Sequence, residues 1–239
     1  MKRIVLPVSG RTDETYELAP SKIICLALNY ADHIKESVSV RVSGFTSDVP
    51  TEPVLFPKTP NALIGPGDNI ELPAIVAKYG FEEPRTDHEA ELAVVIGKAM
   101  KNVPAGQTMD YVYGYTCAND ISQRNIQNLD RSGWYRGKSF DTFCPVGPVI
   151  VPRDAIDDPH NLAIYCRVGR RVTQEANTGR MIFRIPEILE YISHNMTLEA
   201  GDLVLTGTPS GVGPISPGDT VEVEVDQIGT LRNQVVAGE

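Results

Sequence analysis

Asp87-His88-Glu89-Ala90-Glu91-Leu92-Ala93-Val94-Val95-Ile96-Gly97 is the stretch on which the fold turns. It reads as a strand running into the core. Glu89 and Glu91 stand two residues apart and therefore project from one face of a pleated strand. The unbroken apolar run Leu92 to Ile96 that follows argues for burial on both faces. Two carboxylates at the mouth of a buried strand repel each other and lose hydration, a cost that a cation or a proton must offset. A hard divalent ion is one answer, because Mg²⁺ and Mn²⁺ take oxygen ligands. A polar strand end wetted by solvent is the other, and this stretch alone leaves both open.

Outward from that strand, short apolar runs bounded by glycine and proline recur, with 20 Gly and 18 Pro in 239 residues. Such punctuation predicts many short strands rather than a helical bundle. Strands are expected at Arg3 to Val8, Lys22 to Leu28, Pro53 to Phe56, Glu89 to Gly97, Tyr113 to Asn119, Val146 to Val151, Leu162 to Val168, Asp202 to Thr206, Thr220 to Val225 and Gly229 to Gln234. The best helix is Pro186 to Asn195, with proline in its first turn and an apolar stripe of Ile188, Leu189 and Ile192. Shorter helices are expected at Ser122 to Leu129 and Thr108 to Tyr111. No repeat or low-complexity linker divides the chain, so the fold class is α+β, predominantly β. The weakly patterned stretch from Asn29 to Glu52 is too long for an ordinary connection and reads as a functional lid or a mobile loop. Tyr79 to Arg85 would sit at the same rim.

With 41% hydrophobic residues the chain can bury a real core. No apolar run reaches the ~20 residues of a bilayer span, and Met1 to Pro7 is too short and broken for a secretory leader. The expectation is a cytoplasmic protein. Cys25, Cys117, Cys144 and Cys166 are far apart, with no CxxC pair, so they read as buried free thiols rather than a zinc site or disulfide framework. A net charge of −9 without charged blocks disfavours nucleic acid and anionic membrane as partners.

Four further stretches carry unusual chemistry. Asp120 ends a strand at Asn119-Asp120-Ile121-Ser122, where a cap is the ordinary role. Gly137-Lys138-Ser139-Phe140-Asp141 sets a lysine among apolar and aromatic residues, costly unless paired. Thr206 to Pro214 is a glycine-rich loop whose amides can approach an anion. His33 and Glu36, three apart, lie side by side on a helical turn. Two look-alikes fail: a phosphate loop ending at Gly137-Lys138-Ser139 needs glycine where Ser132 stands, and a zincin motif from His88-Glu89 needs histidine where Leu92 stands. His160 and His194 read as surface residues. Trp134 and Tyr135 read as packing aromatics.

Together these blocks resemble the fumarylacetoacetate hydrolase superfamily in its short, single-domain form. The resemblance is carried, in order, by Asn29-Tyr30-Ala31-Asp32-His33, Ala62 to Asp68, His88-Glu89-Ala90-Glu91-Leu92, Asn119 to Ser122 with Arg124, Gly137 to Asp141, and Leu205 to Gly213. It implies a mixed β-sandwich roll with a few short helices, a short β segment over 1–21, and a catalytic domain over 22–239 with its lid at about 29–52. It implies that Glu89, Glu91 and Asp120 ligate one Mg²⁺ or Mn²⁺, that Lys138 sits beside the ion, and that Arg124, Gln127 and Thr208 line the substrate pocket. His33 with Glu36 resembles the catalytic dyad carried on the lid, and a homodimer is implied. The chain departs from the family's pattern at Asn125, commonly acidic, and Gln123, usually small, two positions that bear on substrate preference.

What such a site would do follows from charge. A 2-oxo acid chelates the ion through its carboxylate and keto oxygens, and Lys138 adds a second positive charge to the enolate that forms when a neighbouring bond breaks. The leading expectation is hydrolytic C–C cleavage of an acylpyruvate, with His33 activating water. Isomerisation or decarboxylation of 2-hydroxydiene-dioates in aromatic catabolism, and decarboxylation or tautomerisation of oxaloacetate, run through the same enolate. A metal-stabilised binding protein without catalysis is the reading from another class.

Overall fold

The computed structural model describes residues 2–36, 48–129 and 134–238. Its strands in chain order are β1 (Ile4–Pro7), β2 (Thr15–Leu18), β3 (Ile23–Ala27), β4 (Val54–Lys58), β5 (Leu63–Ile64), β6 (Asn69–Leu72), β7 (Thr86–His88), β8 (Ala90–Ile96) and β9 (Val112–Asn119). They continue with β10 (Ser122–Gln123), β11 (Cys144–Pro152), β12 (Ala163–Val168), β13 (Arg171–Asn177), β14 (Leu203–Leu205), β15 (Gly213–Pro214), β16 (Thr220–Val225) and β17 (Gly229–Ala237). A seven-stranded mixed sheet runs β4-β3-β14-β8-β9-β11-β5, and a five-stranded one runs β13-β12-β16-β17-β6. The strands β8, β9 and β11 pack against β12, β16 and β17. The result is the predominantly β, curled arrangement expected.

β8 lies in the middle of the larger sheet, and no residue from Ala90 to Ile96 is more than 1% exposed. Burial on both faces explains why Leu92 to Ile96 shows no alternation, since each such side chain contributes roughly 1.5–3 kcal/mol wherever it points inward. By contrast β16, with one face in the core, alternates Thr-Val-Glu-Val-Glu-Val and buries only its valines.

The helix Ile185–Asn195 forms as its stripe predicts, sending Ile185, Ile188, Leu189 and Ile192 into the core. Its start is held by Glu187, which accepts from the Arg184 backbone N–H at 2.8 Å, and by His160, whose Nε2 accepts from the Ile185 N–H at 3.0 Å. His160 is therefore a correction: its side chain is only 10% exposed and satisfies an otherwise orphaned helix donor. His194 is exposed as expected.

Three other expectations shift. Ser122 and Gln123 pair with Asp87 and Thr86 as β10, so the helix begins at Arg124. Thr108 to Tyr111 splits into one α-turn at Ala105–Thr108 and a 3₁₀ turn at Met109–Tyr111. The strands β2, β6 and β13 were not foreseen, because their polar sequences, such as Arg-Val-Thr-Gln-Glu-Ala-Asn in β13, lie at sheet edges or in a hairpin with little burial to imprint a pattern. The four cysteines are free and buried, as expected.

Candidate active site

Strand register builds the site. β8 and β9 are antiparallel with Ala90 opposite Asn119 and Glu91 opposite Ala118, so the next pair outward sets Glu89 opposite Asp120, whose N–H donates to the Glu89 carbonyl at 2.8 Å. Residues directly opposite share a face. Glu89, Glu91 and Asp120 thus converge, each buried, with carboxylate oxygens within 4.8 Å of one another. Asp120 is no helix cap: its two oxygens accept from Lys58 Nζ at 2.5 Å and Lys138 Nζ at 2.6 Å.

Lys138, at the end of the short helix Tyr135–Lys138, also donates to Glu89 Oε2 at 2.8 Å, and its ammonium lies 4.7 Å from the Phe56 ring centre. Burial alone would lower its pKa, but Asp120 and Glu89 outweigh that and raise it, keeping the lysine charged. Glu89 also pairs with Arg124, and although burial opposes ionisation, Arg124 and Lys138 drive its pKa far down. Glu91 goes the opposite way. Desolvation first, then the charges of Asp120 and Glu89, push its pKa well up, and the hydrogen bond it accepts from the Gly207 N–H at 2.6 Å does not reverse this. A buried carboxyl that prefers to stay protonated beside two carboxylates is the condition a divalent cation relieves, and three convergent oxygen donors suit a hard ion.

The Thr206 to Pro214 loop does serve anions, and they are the protein's own carboxylates. Gly207 (φ +95°) donates to Glu91, and a Cβ there would lie 2.8 Å from the Asn29 side chain. Gly211 (φ +95°) donates to Glu36 Oε1 at 2.7 Å, where a Cβ would meet the Thr173 carbonyl at 2.0 Å. Only glycine allows either approach.

His33 and Glu36 sit on the helix Ala31–Glu36, with His33 Nδ1 3.3 Å from Glu36 Oε1. Burial would raise the Glu36 carboxyl, but His33 and the Gly211 N–H hold it below the ordinary range. An ionised Glu36 accepts a hydrogen bond from His33 Nδ1–H, which selects the tautomer whose Nε2 is an acceptor. Of the expected lid, residues 37–47 lie outside the described residues; the preceding Asn29 is anchored by hydrogen bonds to Thr206 and Phe183.

Two chambers meet at His33 and Arg124. The inner one is floored by Glu89, Lys138, Thr208 and Gln127 and walled by Phe56 and Trp134; its free volume of about 20 Å³ suits about one ordered water. Trp134 packs edge-on against Phe56 at 5.3 Å, so it both packs and faces this chamber, whereas Tyr135 is 48% exposed. The outer chamber, about 270 Å³, is lined by Glu36, Glu83, Arg85, Asp87 and Asn125.

Arg124 and Thr208 line the cavity, with each side-chain nitrogen of the arginine and the hydroxyl of the threonine already hydrogen-bonded. Arg124 donates to Asp87 Oδ2 at 2.8 Å, Gln127 Oε1 at 3.0 Å and Glu89, and Thr208 Oγ1 donates to the Ala90 carbonyl at 2.9 Å. Gln127 keeps an amide nitrogen with no partner among the described residues. Sequence reasoning overlooked Lys58 and Asp87. Lys58 ends the apolar run Val54-Leu55-Phe56-Pro57, the same signal that singled out Lys138, and its side chain is fully buried.

Comparison with known proteins agrees with this architecture. The chain is 42% identical over 243 residues to the mitochondrial oxaloacetate tautomerase FAHD2A of Bos taurus, covering 97% of this chain and 72% of that protein. A 5-carboxymethyl-2-hydroxymuconate delta-isomerase from Mycobacterium smegmatis superposes with TM-score 0.80 at 38% identity, over 95% of this chain and 87% of that one. A maleylpyruvate hydrolase from Sphingobium sp. SYK-6, solved with manganese(II) and pyruvate, superposes with TM-score 0.76 at 34% identity, over 95% and 75%. Residues 22–236 match the family model for the fumarylacetoacetate (FAA) hydrolase C-terminal domain, and the chain belongs to that family.

Proposed function

We propose that this protein is a divalent-metal-dependent enzyme of 2-oxo acids that works through an enolate, its leading reaction the hydrolytic C–C cleavage of an acylpyruvate-type dicarboxylate. The observation that carries the reading is the convergence of Glu89, Glu91 and Asp120 with Lys138 bridging two of them. Those three carboxylates would hold the ion, Mg²⁺ or Mn²⁺. When bound, it supplies Lewis-acid polarisation of the substrate's keto and carboxylate oxygens.

The remaining chemistry belongs to the chain. Lys138 offers its ammonium to the oxygen on which enolate charge builds. The Gln127 amide has a donor for the substrate head. His33, oriented by Glu36, accepts at Nε2 a proton from water; the water oxygen bonds to the distal carbonyl carbon, the C–C bond breaks, and its electron pair becomes the enolate of the pyruvate half. A proton returned to that carbon completes the turnover. Phe56 and Trp134 keep bulk water from the reacting centre.

In the inner half, Glu89, Glu91 and Asp120 stand against Arg124, Lys58 and Lys138, so a divalent cation there leaves a positive surplus that an anionic 2-oxo acid head meets. Keto–enol tautomerisation of oxaloacetate is a second reading, favoured by the 42% identity to the bovine tautomerase; it asks the same His33 to move a C3 proton instead of a water proton. Assays of fumarylpyruvate, oxaloacetate and 2-hydroxydiene-dioates with Mg²⁺, Mn²⁺ and EDTA separate these. Metal-dependent cleavage of fumarylpyruvate is expected, enolisation of oxaloacetate alone would leave the tautomerase, and no turnover of any would leave a metal-stabilised binding protein.

A further inference from the structure

Arg85 was expected only at the rim, yet it is fixed in the outer chamber by three neighbouring residues. Its backbone N–H donates to Asn125 Oδ1 at 2.8 Å, its carbonyl accepts from the Arg124 N–H at 2.8 Å, and its Nε donates to Asp87 Oδ1 at 2.7 Å. Asn125 is itself held: its Nδ2 donates to the Glu83 carbonyl at 3.0 Å, and its Oδ1 also accepts from Gln123 Nε2 at 3.1 Å. The two residues that depart from the family's pattern, Gln123 and Asn125, therefore build the platform on which Arg85 stands.

The contrast with Arg124 gives this arrangement its meaning. All three side-chain nitrogens of Arg124 are engaged by Asp87, Gln127 and Glu89. Arg85 spends only Nε, and its two terminal nitrogens have no partner among the described residues while its side chain, 42% exposed, lines the outer chamber. Other acids there are engaged: Glu36 by His33 and Gly211, and Asp87 by the two arginines. Among the described residues that line the chamber, Glu83 alone adds an exposed negative charge that competes for the site.

We infer that Arg85 is the specificity-determining residue that receives the distal carboxylate of the substrate through its free guanidinium edge. A planar pair of N–H donors fits a carboxylate side-on, which a lysine cannot reproduce. The ion-pair chain from Glu89 to Arg85 passes through Arg124 and Asp87, and two side chains between them set the carboxylate that Arg85 reads several carbons from the 2-oxo acid head. The preferred substrate class is thus a long-chain 2-oxo dicarboxylate, one more extended than oxaloacetate. This inference rests on the 2-oxo acid reading above.

The test uses the full-length, Mg²⁺-loaded protein and two non-cleavable ligands of equal length, 2-oxoadipate and 2-oxohexanoate, titrated calorimetrically. The first should bind on the order of tenfold more tightly, the modest gain of a half-exposed charged hydrogen bond. Arg85→Gln should erase that preference while leaving 2-oxohexanoate affinity in place, and Arg85→Lys should recover only part of it. Equal affinity for the two ligands in the unaltered protein, or a preference that survives Arg85→Gln, overturns the assignment but not the 2-oxo acid reading. Failure of both ligands to bind overturns that reading and this inference with it.

Discussion

The inner and outer halves of the cleft are built on opposite principles. Around Glu89 and Asp120 the charges are buried and, Glu91 apart, paired: Lys58 and Lys138 are at most 2% exposed at their side chains, and each donates to Asp120. Around Arg85 and Glu36 the side chains are 42% and 36% exposed, and donors remain unspent. A buried, fully paired cluster cannot adjust without large cost, because removing one partner strands another charge in low dielectric. A half-exposed one can be altered cheaply. The inner half suits the invariant part of a reaction, and the outer half suits the choice among substrates.

The most damaging way to break this contrast is Asp120→Asn, which takes a counter-charge from two buried lysines at once. A loss of stability of about 3–5 kcal/mol is expected, read by denaturant unfolding, together with abolished Mn²⁺ uptake by calorimetry. If uptake persists, the three carboxylates do not act as one site. Lys138→Met is next: turnover should fall by about 10²–10³, while Mn²⁺ binding is retained or tightened because a competing positive charge has gone.

His33→Ala sharpens the division of labour in the outer half. Hydrolysis should fall by about 10²–10⁴ with metal uptake unchanged, and enolisation of a 2-oxo acid should fall less, since only hydrolysis requires activated water. Equal losses in the two assays would assign the C3 proton to His33 as well. The smallest effect concerns pH. Burial, Asp120 and Glu89 raise the pKa of Glu91, so a proton competes with the metal there and apparent Mg²⁺ affinity should rise with pH, by up to about tenfold per unit. The sign for stability follows: proton binding stabilises the metal-free fold below the ordinary carboxylate pKa, and this contribution is lost as pH rises through Glu91's raised value. Melting temperatures measured with and without Mg²⁺ should therefore diverge as pH increases, and parallel curves would contradict the assignment.

Much of this could be read from the chain. The unbroken Leu92 to Ile96 run marked a doubly buried strand, and the Ile188, Leu189 and Ile192 stripe marked the helix Ile185–Asn195. Glu89 and Glu91 were visible as a pair because strand periodicity is local, and the ordered blocks from Asn29 to Gly213 brought in Asp120, Lys138 and His33 by resemblance. The polar strands β2, β6 and β13 left no such mark, since a half-exposed edge imposes little on its residues.

What the sequence determined was the set of local periodicities and the inventory of charged groups placed where charge is costly. Which of those charges meet was decided by pairing between distant strands: the β8–β9 register that puts Asp120 opposite Glu89, and the end of β4 that carries Lys58 to Asp120. Whether a cation is spent or free was also decided there, and it separates Arg124 from Arg85, two arginines indistinguishable by composition. Long-range electrostatics depends on distance in space, and separation along the chain carries almost no information about it.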